Sequence, residues 1–91
     1  STSKPDIVIS IDSRKGVLTG EVKNDSVKID ALELSLTDLD YEGKLGKWAS
    51  RIPGKAKVTF EADEKAKFDE VQKTMDALST AGVKFRMSAK E

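Results

Sequence analysis

The sequence predicts one α+β domain in which two main helices pack on one face of a small mixed sheet. Three observations indicate this class. The chain has 91 residues, which suits a single hydrophobic core. Apolar residues alternate near both ends, as in strands, and a helical repeat precedes the last alternating segment. We expect the domain to cover residues 7–88, with a linker at 1–6 and a tail at 89–91.

The strands are predicted from their period of two. Isoleucine occupies every second position over 7–11, which is typical of a strand with one buried face. The polar cluster 12–16 ends in glycine and predicts a turn, so the β-type residues of 17–22 become the second arm of a hairpin. The same alternation predicts strands over 57–62 and 83–87.

The segment 29–39 fits two periods, because its leucines alternate as in a strand and also recur at helical intervals. Asp30 ahead of the apolar run, with Glu33 three residues later, is the start signal of a capped helix. We therefore expect a helix here. A second helical stretch presents one apolar face, formed by Leu45, Trp48, Ala49 and Ile52. Its tryptophan is expected in the core rather than on a binding surface.

The most regular helical repeat covers residues 67–81, and Gly82 follows it as the residue that ends the helix. The apolar members of the repeat are Phe68, Val71, Met75, Leu78 and Ala81. They are expected to form one buried stripe, which makes this helix a structural element rather than a binding face.

Composition excludes several classes of function. Sixteen basic and sixteen acidic residues give no net charge, which argues against nucleic acid as a partner. The chain has no Cys and no His, so thiolate, disulfide and imidazole chemistry are absent. Asp38, Asp40, Glu42 and Gly43 resemble the start of a calcium-binding loop, but Ala49 stands where that loop needs a bidentate Glu. We expect no enzyme activity, no cofactor and no required metal; a small hydrolase using paired carboxylates is the alternative of another class.

A spaced motif runs from the third predicted strand through the long helix. Its members are Ala62, Asp63, Phe68, Val71, Met75, Asp76, Leu78, Ala81 and Gly82. Their spacing resembles, without a gap, the pattern V-x-x-x-A-D-x-x-x-x-[YF]-x-x-V-x-x-x-M-D-x-L-x-x-A-G of the periplasmic domain of the ExbD/TolR family. The predicted opening hairpin is similar to the family's first two strands. The resemblance therefore covers most of the chain.

The resemblance implies a non-enzymatic coupling module of a complex in the bacterial inner membrane that is driven by the proton motive force and supports outer-membrane transport. The module would lie in the periplasm, as part of a single-pass membrane protein whose membrane helix is absent from this chain. The implied partners are a TonB-like or TolA-like protein, an ExbB/TolQ-like membrane protein reached through that helix, and a second copy in a homodimer. A TolR-like protein would instead bind peptidoglycan, which is the alternative within the family.

Partners are expected at the edges of the small sheet, because an edge strand exposes unpaired N–H and C=O groups. We expect the last strand, or the first strand as its neighbour, to pair with a second copy or with an extended segment of a TonB-like protein. The residues expected at this interface are Val83, Phe85 and Met87 on the last strand and Ile7, Ile9 and Ile11 on the first.

Overall fold

The structure is a computed structural model that describes residues 4–90. Residues 1–3 of the expected linker and residue 91 of the expected tail lie outside the described residues. The elements in chain order are β1 (Ile7–Asp12), β2 (Val17–Val22), β3 (Leu32–Ser35), α1 (Tyr41–Ala49), β4 (Val58–Ala62), α2 (Phe68–Thr80) and β5 (Phe85–Ala89). The predicted α+β class, with a mixed sheet and two helices, is confirmed.

The five strands form one sheet in the order β3-β2-β1-β4-β5. β1 pairs antiparallel with β2 and parallel with β4, and β5 pairs parallel with β4. β2 is also antiparallel to β3, so β1, β3, β4 and β5 all run the same way. The sheet has β3 at one edge and β5 at the other.

The opening hairpin forms as predicted. Gly16 has a φ of +69°, and its N–H donates to the Asp12 carbonyl at 2.9 Å to close the turn. The Asp12 carboxylate also accepts the Lys15 N–H. A turn that needs a positive φ explains why glycine stands at its last position.

The core lies between the sheet and the two helices. Its fully buried large side chains include Ile7, Ile9, Ile11, Leu18, Leu45, Phe60 and Leu78. The alternate positions of the strands point to the opposite face, where hydroxyl and charged residues such as Thr19, Glu21 and Glu33 lie half-buried or exposed. The helices therefore cover one face of the sheet and leave the other open.

The expected helix over 29–39 is wrong, because this part of the chain contains β3. The strand pairs with β2 and buries Leu34, while the Asp30 carbonyl, expected at a helix start, accepts the Trp48 indole N–H at 2.7 Å. Pairing with an existing hairpin and a tertiary hydrogen bond therefore outweigh the local capping signal.

Helix α1 begins four residues earlier than its apolar spacing suggested, at Tyr41. Tyr41 is buried and its hydroxyl shares a 2.7 Å hydrogen bond with Thr74 of α2, while Lys73 of α2 lies 4.2 Å from the centre of the Tyr41 ring. Lys73 also donates to the Leu36 carbonyl. These contacts fasten α1 and the end of β3 to one flank of α2.

Trp48 lies in the core, as predicted. Its six-membered ring packs flat enough on β2 that a Cβ added at Gly20 would lie 2.5 Å from the ring carbon Cη2. Gly46, on the same helix as Trp48, has open space where a Cβ would be. The glycine of β2 is therefore required for packing, whereas the glycine of α1 is not.

We expect Gly20→Ala to lower the free energy of unfolding by about 1–3 kcal/mol, because the added methyl overlaps the Trp48 ring. The matched control, Gly46→Ala, is expected to raise stability by about 0.4–1 kcal/mol by restricting the unfolded chain. Urea unfolding followed by tryptophan fluorescence measures both. Equal stability of the two variants would contradict the close approach.

Candidate functional site

Strand β5 is an edge with one side free. It pairs with β4 in the register Val58↔Phe85, and no other strand among residues 4–90 pairs with it. Beyond the last paired residue, the Lys90 N–H donates to the Ala62 carbonyl at 3.3 Å. Backbone groups alternate in direction along a strand, so the N–H and C=O groups of Phe85, Met87 and Ala89 face away from β4. These groups are available to another chain.

The side chains of β5 on the helix-facing side are apolar. Phe85 is half-buried, and its ring meets the Phe60 ring edge-to-face with 6.1 Å between the ring centres. Met87 stands beside Phe60 in the register but is 51% exposed. The strand therefore offers one anchored aromatic residue and one open apolar residue along its free edge.

Helix α2 adds a second row of apolar side chains beside this edge. Phe68, the first residue of the helix, is 81% exposed, and Val71 and Met75 are half-buried. All three lie on the flank of α2 that points away from α1, and α1 covers the β2–β3 half of the sheet. We call Phe68, Val71, Met75, Phe85 and Met87 the apolar seam. It borders the free side of β5.

The expectation that Phe68 belongs to a buried stripe is wrong. The buried residues of α2 are Thr74, Ala77 and Leu78, so the helix is turned toward α1 relative to the predicted stripe. Tyr41 and Lys73 explain this rotation, because their contacts hold the Thr74 side of α2 against α1. Leu39, which the predicted helix over 29–39 would have partly buried, is also fully exposed in the turn after β3.

The expected interface on β1 is also wrong. Ile7, Ile9 and Ile11 are 0% exposed, and β1 lies at the centre of the sheet between β2 and β4. The physical reason is the order of the strands: β4 occupies the place beside β1 that was expected for the last strand. No partner can pair with β1 unless β2 or β4 leaves it.

The last strand begins later than predicted, at Phe85, and extends through Ala89 of the expected tail. Gly82 ends α2 with a φ of +82°, and its N–H donates to the Ser79 carbonyl at 3.0 Å. The Val83 N–H donates to Leu78 at 2.9 Å, which completes a Schellman motif. Val83 thus belongs to the helix end, half-buried in a cleft of about 220 Å³ that Ile52 and Val58 also line.

A second candidate site lies where β1, β4 and β5 end together. A cleft of about 460 Å³ is lined there by Asp12, Ser13, Arg14, Asp63, Glu64, Lys65 and Lys90. Charged groups of both signs therefore meet at the carboxyl ends of three parallel strands, a common place for ligands in α/β sheets. Its two aspartates are the nearest approach to the carboxylate pair of the hydrolase alternative.

Asp63 bridges the two sides of this cleft. One carboxylate oxygen accepts the Ser13 N–H at 2.6 Å and the other accepts the Lys65 N–H at 2.9 Å. The bond from the Ser13 backbone holds the pKa of Asp63 below its usual range. A carboxyl group that acts as a general acid needs a raised pKa, so the geometry favours a structural role for Asp63 in tying the loop after β4 to the hairpin.

The remaining motif residues have structural positions. Ala62 ends β4, Ala81 caps α2, and Asp76 is exposed and accepts a hydrogen bond from Gln72. Asp38, in the acidic loop before α1, forms an ion pair with Lys44 at 2.8 Å. Within residues 4–90 no group of three or more carboxylates is placed to hold a metal ion, and no helix has the length and apolar character needed to cross a membrane.

In comparisons with known proteins, the chain matches no family model and no curated protein sequence.

We expect Leu78→Ala to lower the free energy of unfolding by about 2–5 kcal/mol, because Leu78 is fully buried. Phe68→Ala is expected to change it by no more than about 0.5 kcal/mol, because Phe68 lies in the exposed part of the seam. Chemical denaturation of both variants measures the difference. A large loss of stability in Phe68→Ala would place this ring in the core instead.

The lowered pKa of Asp63 predicts a pH-dependent contribution to stability. A carboxyl group with a depressed pKa in the folded state stabilises the protein above its unfolded value, near 3.8, and this stabilisation is lost as pH falls. Asp63→Asn should therefore melt below the parent at pH 7, and the gap should shrink below about pH 4. The control Asp25→Asn, at an exposed turn, should show no such gap. A gap that is constant with pH would contradict the assignment.

Proposed function

We propose that this chain is a non-enzymatic periplasmic coupling module of an inner-membrane complex driven by the proton motive force. In this role it binds an extended segment of a TonB-like or TolA-like protein along β5. The observation that carries the proposal is the free edge of β5 bordered by the apolar seam. An added strand gains main-chain hydrogen bonds from such an edge, and side chains on alternate positions gain pockets.

The motif that resembles the ExbD/TolR family and the free edge belong to the same part of the chain. Ala62 and Asp63 end β4, the motif residues of α2 include three of the five seam residues, and Gly82 turns the chain into β5. The resemblance and the geometry therefore support one unit, β4–α2–β5, as the part that meets a partner. The polar cleft at the strand ends stabilises this unit through Asp63.

The seam gives the added segment a place for its side chains. A residue facing the helix layer would contact exposed Met87 and, one layer above, exposed Phe68. Both side chains lose water contact when such a residue covers them, and apolar burial contributes about 25 cal/mol per Å². Backbone pairing thus sets the path of the segment and the seam stabilises it.

We expect Met87→Pro to weaken binding of the partner segment by about tenfold or more, because it removes an outward N–H donor and disturbs the added ladder. Its inward-facing neighbours keep their bonds to β4, so the domain should stay folded. The measurement is fluorescence anisotropy with overlapping peptides from a TonB-like or TolA-like protein of the same genome, alongside a melting curve.

The matched control for this test is Glu33→Pro. It removes an outward donor from β3, the opposite edge of the sheet, where the bond from Leu36 to Gly16 sets the same alternation. Binding by this variant should equal that of the parent. A folded Met87→Pro variant that binds as tightly as the parent, or a Glu33→Pro variant that loses binding, would overturn the proposal.

A further inference from the structure

The charges on β5 select among possible partners, and this inference rests on the proposed function of the edge. We propose that β5 is built for an acidic, amphipathic extended segment and not for a second copy of this chain. The expected homodimer would then not form through this edge. The argument follows from the bases that β5 carries and from the faces on which they lie.

All charged residues of the last segment are basic. Lys84 and Arg86 are exposed, Lys90 follows the strand, and no acid occurs between residues 83 and 90. The even-numbered positions share the open face of the sheet, since Phe85 and Met87 lie beside buried Val58 and Phe60 on the other face. The free edge is therefore basic on one face and apolar on the other.

These bases are weakly neutralised within the chain. Arg86 is in no ion pair among the described residues, and Lys90 approaches the Asp12 carboxylate only to 3.9 Å. Its neighbour on β4 in the register is Thr59, which is uncharged. An incoming strand would therefore bring the first acidic side chain placed directly opposite Arg86.

A second copy pairs poorly when both helix layers lie on the same side. A two-fold axis through one residue of an antiparallel pair sets positions at equal distances from that residue opposite each other. For each centre from 85 to 88, two of the three bases then meet. A centre at 86 pairs Arg86 with its own copy, and a centre at 87 pairs Lys84 with Lys90. Like charges directly opposite each other destabilise a strand pair.

The flipped arrangement also fits poorly. If the helix layers lie on opposite sides, the register shifts by one residue and each apolar position of one copy meets a polar position of the other. Met87 then lies opposite Arg86 or Ser88, and the seam of each copy remains uncovered. Neither way of joining two β5 strands satisfies both faces.

An amphipathic acidic segment satisfies both faces at once. Apolar residues at alternate positions would cover Met87 and approach Phe68, while the residues between them would lie opposite Arg86 and near Lys84. Paired residues share a face in parallel and antiparallel ladders alike. The chemistry of the segment is therefore determined without knowing its direction.

The test uses two synthetic peptides that alternate valine with glutamate or valine with lysine over seven residues. We expect the glutamate peptide to bind the chain at least about tenfold more tightly at 0.05 M salt, with a smaller ratio at 0.3 M. The charge reversal Arg86→Glu should invert the preference, whereas Lys47→Glu, on the exposed side of α1, should leave the preference unchanged. Analytical ultracentrifugation should show no dimer that Met87→Pro abolishes.

The outcomes separate this inference from the function on which it rests. If both peptides bind equally and Met87→Pro removes both, the edge takes strands without charge selection, so the inference fails and the proposed edge stands. If the chain dimerises and Met87→Pro makes it monomeric, a second copy is the occupant and the inference fails. If no peptide binds and no TonB-like or TolA-like segment binds either, the proposed function fails with it.

Discussion

The packing of Trp48 on Gly20 organises the helix layer. The indole lies against β2 where no side chain intervenes, and its N–H reaches the Asp30 carbonyl, so one residue fixes α1 over the hairpin and orders the segment that leads into β3. Because α1 occupies this half of the sheet, α2 must cover the β4–β5 half with 13 residues. A helix of this width covers β4 fully and the outer strand only in part, which is why Met87 remains open.

The contact between the two helices then decides which side of α2 is exposed. Tyr41 is buried with its hydroxyl bonded to Thr74, and burial raises the pKa of this phenol. Lys73 adds a charge over the Tyr41 ring and a bond to the end of β3. The helix is thereby rotated toward its neighbour, and the residues on its far flank, led by Phe68, are left along the edge. The seam is thus a consequence of helix packing and not of a local sequence signal.

Elements with a strong local pattern could be predicted, namely the hairpin, β4, α2 and the glycine that ends α2. The strand at Leu32–Ser35 could not, because its leucines satisfy both periods and the deciding contacts come from β2 and Trp48, which are remote in sequence. Exposure of Phe68 depends on the rotation of α2, which periodicity does not determine. The placement of β1 at the centre follows from a crossover between β3 and β4 that the alternation of isoleucines cannot reveal. The free edge itself could be anticipated from the last alternating segment, although its start is displaced by the helix cap at Val83.

The parallel pairing of β5 with β4 has a mechanical consequence. Ladder hydrogen bonds lie across the strands, so a pull along the strand direction shears all of them together, whereas a pull at right angles opens them one after another. A segment lying on β5 would resist tension along its own axis and yield readily to tension that peels it from one end. The edge can thus act as a direction-dependent clutch, holding a partner under lengthwise load and releasing it when the line of force turns away from the sheet.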